Sequence, residues 1–166
     1  MGFSLVEIPE LSGRECKIYS VANDGDENTL LDYFLDEMYE IHESAVDEIW
    51  DKLKFMGKEG GARFHFFREN EGRPGDGVVA LLDEPGFPIR LYGIRYGSIL
   101  LILGGGGPKG PQIRAWQEDK QLSIAAKQMI KLSELITERV KDRTISIMPD
   151  GSLSGDLFFN EELTLI

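Results

Sequence analysis

A chain of 166 residues, 42% hydrophobic and 28% charged, has the length and balance of one ordinary globule whose core needs no covalent staples. Cys16 is the only cysteine, which excludes an intrachain disulfide and a thiolate-rich zinc site. A net charge of −11 argues, as a sum, against nucleic acid as a partner.

The start, MGFSLVEIPE, lacks the basic and apolar regions of a signal peptide, and Val6 stands where a myristoylation signal wants Ser or Thr. FSLVEI and KIYSVA read as two short strands joined by the turn-rich PELSGRE. NDGDEN breaks the chain and offers Asp26 or Asn28 as a helix cap. From Thr29 to Met56, Leu31, Phe34, Leu35, Met38, Ile41, Ala45, Ile49 and Leu53 recur at spacings of three and four. That pattern predicts a long amphipathic helix, or a helical hairpin if Ser44 caps a second helix. ARFHFF, GVVALLD, IRLYGIRY and ILLILG follow as four strands of an antiparallel meander, with turn residues between them. Ile99–Leu103 is apolar on both faces, which predicts a central strand, and it is too short to cross a bilayer. Leu122–Val140 carries a second apolar stripe and predicts a second long helix. TISIMPDGSLSGDLFF closes the chain as a hairpin around Pro149, Asp150 and Gly151. No repeat or linker interrupts this order. The expectation is a single cytoplasmic α+β domain, residues 1–166, with hairpin extensions at 1–26 and 144–166 and no membrane association.

The charges are unevenly spread. Residues 1–60 hold 15 acids and 5 bases, residues 61–148 hold 10 acids and 13 bases, and residues 149–166 hold 4 acids. Between Pro85 and Gln117 there are no acids, only Arg90, Arg95, Lys109 and Arg114. A cationic site within an acidic molecule is one reading, and a solvated acidic helix face with scattered salt bridges is the other.

The glycine run Gly104–Gly107 does not make a phosphate loop. Lys109 sits between Pro108 and Gly110, which breaks the Walker pattern. Gly105, Gly107 and Gly110 satisfy G-x-G-x-x-G, but Pro108 and Pro111 remove amides that would face a pyrophosphate. No nucleotide cofactor is expected, and the run reads as a flexible strand exit. Nor is a metal expected. Asp24, Asp26 and Asn28 imitate a calcium loop, yet Thr29 replaces its glycine and Leu35 its bidentate glutamate. Glu37, Glu40 and Glu43 lack the Glu-x-x-His of a di-iron bundle, since Tyr39 stands three before His42. Cys16 and His65 are the material of a nucleophile pair, with nothing local to join them. In an alternating strand Arg90, Tyr92, Ile94 and Tyr96 share one face. An arginine flanked by tyrosines, near a loop bearing Lys109, suits an anion or nucleotide contact, and equally a surface salt bridge to the acidic helix.

The succession IWDKLKFMGKEGG, RFHFF, IRLYGIRYGSILLILGGGGPKG and then a long helix resembles the RelE/ParE toxin superfamily, in its phage-derived, HigB-like branch. The resemblance covers about residues 30–130. It implies a RelE-like fold: a long N-terminal helix or hairpin and a second long helix on a mainly antiparallel sheet of four or more strands. It also implies a type II toxin–antitoxin system, with cleavage of messenger RNA on the ribosome and a helix-turn-helix antitoxin as partner. On that match Arg90 stabilises the phosphate and Lys109 orients it or activates the nucleophile. Tyr92, Arg95 and Arg114 contact substrate, and His65 is a candidate proton carrier. A non-catalytic protein-binding module on the same scaffold is the alternative, with the acidic helix as its contact face.

Overall fold

The computed structural model describes residues 2–68, 71–72, 75–82, 84–110 and 119–163. Two strands open the chain, β1 (Phe3–Glu7) and β2 (Lys17–Asn23), and two helices follow, α1 (Leu30–Tyr39) and α2 (Glu43–Phe55). Four strands come next: β3 (Phe67–Arg68), β4 (Val78–Leu81), β5 (Ile89–Tyr96) and β6 (Leu100–Pro108). The third helix, α3 (Lys120–Lys141), precedes β7 (Ile145–Ile147), β8 (Leu153–Gly155) and β9 (Phe158–Phe159).

Seven strands form one sheet in the order β3-β4-β5-β6-β2-β1-β9, while β7 and β8 make a separate hairpin. All neighbours in the large sheet are antiparallel except β2 and β6, which run parallel from Lys17↔Leu100 to Ser20↔Leu103. Helices α1 and α2 cover one face, over a core that includes Leu31, Phe34, Ile49, Leu53, Leu91 and Leu103. Helix α3 covers the other, over Tyr92, Ile94, Ile102, Met129, Leu132 and Ile136. The fourth strand of seven, β6, is buried from Leu100 to Gly104, as its two-sided apolarity requires.

This architecture corrects the expected fold in three respects. There is no single long N-terminal helix: α1 ends at Tyr39, and Glu40–His42 separates it from α2. Met38 and Ala45, the flanking core residues, lie seven apart and stay in helical phase, so the periodicity alone hides the break. Next, the sheet is a large mixed one of seven strands with one parallel pair, where the expectation was a mainly antiparallel sheet of four or more. The N-terminal hairpin is no appendage, because β2 lies against β6 and contributes the buried Ile18, Tyr19, Ser20 and Val21. The Ser20 hydroxyl is satisfied inside, donating to the Leu103 carbonyl at 2.7 Å and accepting from the Leu31 amide at 3.2 Å. Finally, part of the C-terminal segment joins the same sheet: β9 pairs with β1, and the Phe3 and Phe159 rings stack at 4.8 Å.

Local chemistry fixes the ends of the helices. Thr29 and Asp32 form a capping box on α1, and the Asp119 carboxylate caps α3 through the Leu122 amide at 2.9 Å. Beyond α2 a π-helical turn, Met56–Gly60, brings the chain against the β1–β2 connection. There Gly57 accepts from the amides of Glu15 and Cys16 at 3.0 and 3.2 Å. A β-carbon on Gly57 would overlap the Leu11 carbonyl oxygen, so this approach requires glycine.

The glycine run is likewise strand, not exit. Between Gly93↔Leu103 and Leu91↔Gly106 the β5 strand advances two residues and β6 three, so the run houses a bulge. Gly104 lies against Met129, Gly106 against the Arg90 carbonyl and Gly107 against Gln121. ARFHFF is also less extended than its pattern suggests. Phe64–Phe66 is a 3₁₀ turn, and among the described residues β3 pairs with β4 through Phe67 and its neighbour Arg68.

Candidate functional site

Arg90 and Tyr92 lie inside the molecule, on the α3 face of β5. Arg90 is 1% exposed and Tyr92 is fully buried. The Arg90 guanidinium donates to the Tyr92 hydroxyl at 3.2 Å and lies 3.9 Å from the buried Glu71 carboxylate. Glu71 also pairs with Arg68 at 3.0 Å. A buried guanidinium and carboxylate offset part of the cost of each other's desolvation, and burial keeps this cluster away from the surface. Lys109 sits at the same end of the sheet. Its amide donates to the Pro88 carbonyl at 2.7 Å and its ammonium to the Glu84 carbonyl at 2.9 Å, tying β6 to the loop before β5. Arg114 lies outside the described residues.

Arg95 and His65 occupy the opposite end. Five residues of strand separate Arg90 from Arg95, about 17 Å at the usual rise, and the alternation turns them to opposite faces. The Arg95 guanidinium donates to the Ala62 carbonyl at 2.6 Å and lies 5.9 Å from the centre of the Phe67 ring. The Ala62 amide donates in turn to the Ser98 carbonyl at 2.9 Å, which pins the chain after α2 to the β5–β6 turn. That junction forms a cleft of about 490 Å³ lined by Arg14, Arg63, Phe64, His65, Arg95 and Ser98, together with Glu15 and flanking backbone.

Charge in this cleft is strongly biased. Three guanidiniums and an imidazole face one carboxylate, and Glu15 is already paired with Arg14 at 3.4 Å. Arg63 is held from behind, since its Nε donates to the Gly60 carbonyl at 2.8 Å. His65 is exposed, with its ring 4.2 Å from that of Phe66 and 6.3 Å from that of Phe64. Such an arrangement can hold a phosphate and carry a proton beside it. His65 also borders a second cleft whose charged lining is largely acidic, with Asp47, Glu48, Asp51 and Lys52 from α2.

Cys16 cannot serve His65 as a nucleophile. It is fully buried, and burial pushes its thiol up from 9.0 to about 12, away from the thiolate form that reacts. A third groove, between α1 and α3 over Gly105 and Gly106, carries one acid, Glu37, and one base, Lys120. The Gln121 amide bridges it, donating to Glu37 at 3.2 Å and to the Gly106 carbonyl at 3.0 Å.

The expected site residues are therefore divided: Arg90, Tyr92 and Lys109 at one end of the sheet, Arg95 and His65 at the other. Arg14, Arg63 and Phe64 complete the second group, and sequence reasoning missed them. The alternation of basic and aromatic residues in RFHFFR was the available signal, masked by reading ARFHFF as a strand. No protein-family model, curated protein or solved structure matches this chain. Among the described residues, no helix is long and apolar enough to cross a membrane.

Proposed function

We propose that this chain is an RNA-directed toxin of the RelE/HigB-like kind, an endonuclease that cuts messenger RNA on the ribosome and is neutralised by a helix-turn-helix antitoxin. The observation that carries the reading is the convergence of Arg14, Arg63, His65 and Arg95 on one cleft of an otherwise acidic chain. Support also comes from the succession of β5, a tight turn, β6 with its glycines, and α3, the segments on which the resemblance rests. Attack by a ribose 2′-hydroxyl on the adjacent phosphate forms a phosphorus–oxygen bond and breaks the one to the 5′-oxygen. It needs a base for the hydroxyl proton, cations for the charge gathering on phosphate, and an acid for the leaving oxygen. His65 is the proton carrier in this proposal, and Arg63 and Arg95 hold the phosphate. Arg90 and Lys109 act on the fold instead.

Induced expression in bacteria tests the reading. The intact chain should arrest growth and cut messenger RNA, and His65→Ala and Arg63→Ala should relieve both effects. Losing one preorganised cation lowers such a rate on the order of a hundredfold. Both side chains are exposed, so circular dichroism should show folded variants. Arrest that survives both substitutions removes the cleft from the chemistry. The second reading is the protein-binding module, favoured by Tyr39 and Phe55, 47% and 43% exposed on the acidic helices α1 and α2, and by Ile41, 65% exposed in the turn between them. Wild-type protein that neither arrests growth nor cuts messenger would support it.

A further inference from the structure

We infer that the cleft at the β5–β6 turn binds single-stranded RNA, with the Phe64 ring stacking on an unpaired base while Arg63, Arg95 and Arg14 hold the phosphates beside it. The inference rests on the RNA-directed reading of this cleft and adds which form of RNA it takes. At 67% exposed, Phe64 is the most exposed large hydrophobic side chain among the described residues. It leads the 3₁₀ turn Phe64–Phe66 and borders the cleft where Arg14, Arg63 and Arg95 gather. An edge-to-face contact with His65, at 88° between the rings, sets its orientation, and most of the side chain stays open to solvent. Core packing does not explain such a residue, because its neighbour Phe66 is the one that turns inward.

Charge argues for a single strand over a duplex. Duplex binding draws chiefly on phosphate contacts along a broad cationic face. This chain is net −11, and an acidic cleft shares His65 with the cationic one, so its attraction for phosphates is confined to a few groups. Binding must therefore draw on a contact that does not depend on net charge. Stacking of a base on an aromatic ring is such a contact, and only unpaired bases offer their faces. Because every base has such a face, sequence preference should be weak.

Fluorescence anisotropy tests this with the purified full chain, a labelled RNA octamer and a blunt duplex of the same sequence. Salt would be varied between about 50 and about 200 mM. The single strand should bind more tightly than the duplex at every salt concentration. Phe64→Ala should weaken single-strand binding roughly tenfold or more and leave the salt dependence unchanged. Arg63→Ala should weaken binding and reduce the slope of log affinity against log salt by about one. Duplex bound as well as single strand, full affinity in Phe64→Ala, or no association at low salt would each overturn the inference. Single-strand binding without growth arrest or cleavage would uphold it while removing the toxin reading. Cleavage with full affinity in Phe64→Ala would do the reverse.

Discussion

Arg90 shows how burial changes the meaning of a residue. Its charge is 1% exposed and faces Glu71 at 3.9 Å, with the Tyr92 hydroxyl as a further partner. Arg90→Ala would leave the Glu71 carboxylate buried, still paired with Arg68 at 3.0 Å. Removing one member of a buried pair costs about 3 to 5 kcal/mol, and the retained Arg68 places this case near the lower end. Urea denaturation should show that loss, and Arg90→Met combined with Glu71→Leu should recover much of it. A loss below about 0.5 kcal/mol, as for an exposed side chain, would show that the pair is not structural. Cys16 makes a second residue-scale case. Its thiol is neutral in both states below pH 9.0, and on unfolding it regains its ordinary acidity. Above that pH the unfolded thiol ionises while the folded one holds its proton to about 12. The unfolded state then binds fewer protons, and stability falls as pH rises through this window. Burial also raises Tyr19 and Tyr96, which act in the same direction at higher pH. Cys16→Ala should flatten the start of the decline, between about pH 9 and 10. An unchanged profile would mean that the thiol titrates as it does when unfolded.

At the scale of elements the glycine run is the most informative. The four glycines sit in β6, and their neighbours differ enough to separate them by substitution. A β-carbon at Gly106 would meet the Arg90 carbonyl, whereas at Gly105 it would meet nothing within 4 Å. Gly106→Ala should therefore cost about 1 to 3 kcal/mol through overpacking at the bulge. Gly105→Ala should be neutral, or stabilising by about 0.4 to 1 kcal/mol through lost freedom in the unfolded chain. Melting temperatures of the two variants that moved alike would refute the bulge geometry. The composition GGGG announces a close approach or a bend without saying which. It reads as a loop exit because nothing local reveals that β5 continues alongside as far as Ile89. Strands β4, β5 and β6 and helix α3 were legible, because alternation and a long apolar stripe are local signals. The place of β2 was not. Its pairing with β6 joins Ser20 to Leu103 across 83 residues, half of the chain, and no short-range pattern records that contact. The split of the cation set had the same cause. Arg90 and Arg95 share one strand, and only the packing of α3 on one face and the Ala62–Phe67 segment at the other end tells them apart.

For the molecule as a whole the question is how a chain of net −11 presents a cationic cleft at all. The answer lies in segregation: α2 turns Asp47, Glu48 and Asp51 toward one side of His65, while Arg14, Arg63 and Arg95 gather on the other. Both groups line clefts that share the imidazole, so the acids flank the approach to it, and their field extends about one Debye length, roughly 8 Å at physiological salt. The acids should therefore oppose an approaching phosphate. Replacing Asp47, Glu48 and Asp51 by Asn, Gln and Asn removes three negative charges from an exposed helix face while keeping its shape. All three side chains are exposed, so the fold should change little in stability. RNA affinity should rise at low salt, and the gain should shrink as salt is raised, because screening weakens exposed charges first. A gain that persists at high salt would point to a new contact rather than a relieved repulsion. No gain at any salt concentration would mean that RNA does not pass near His65, and that the cleft beside it is not the binding surface.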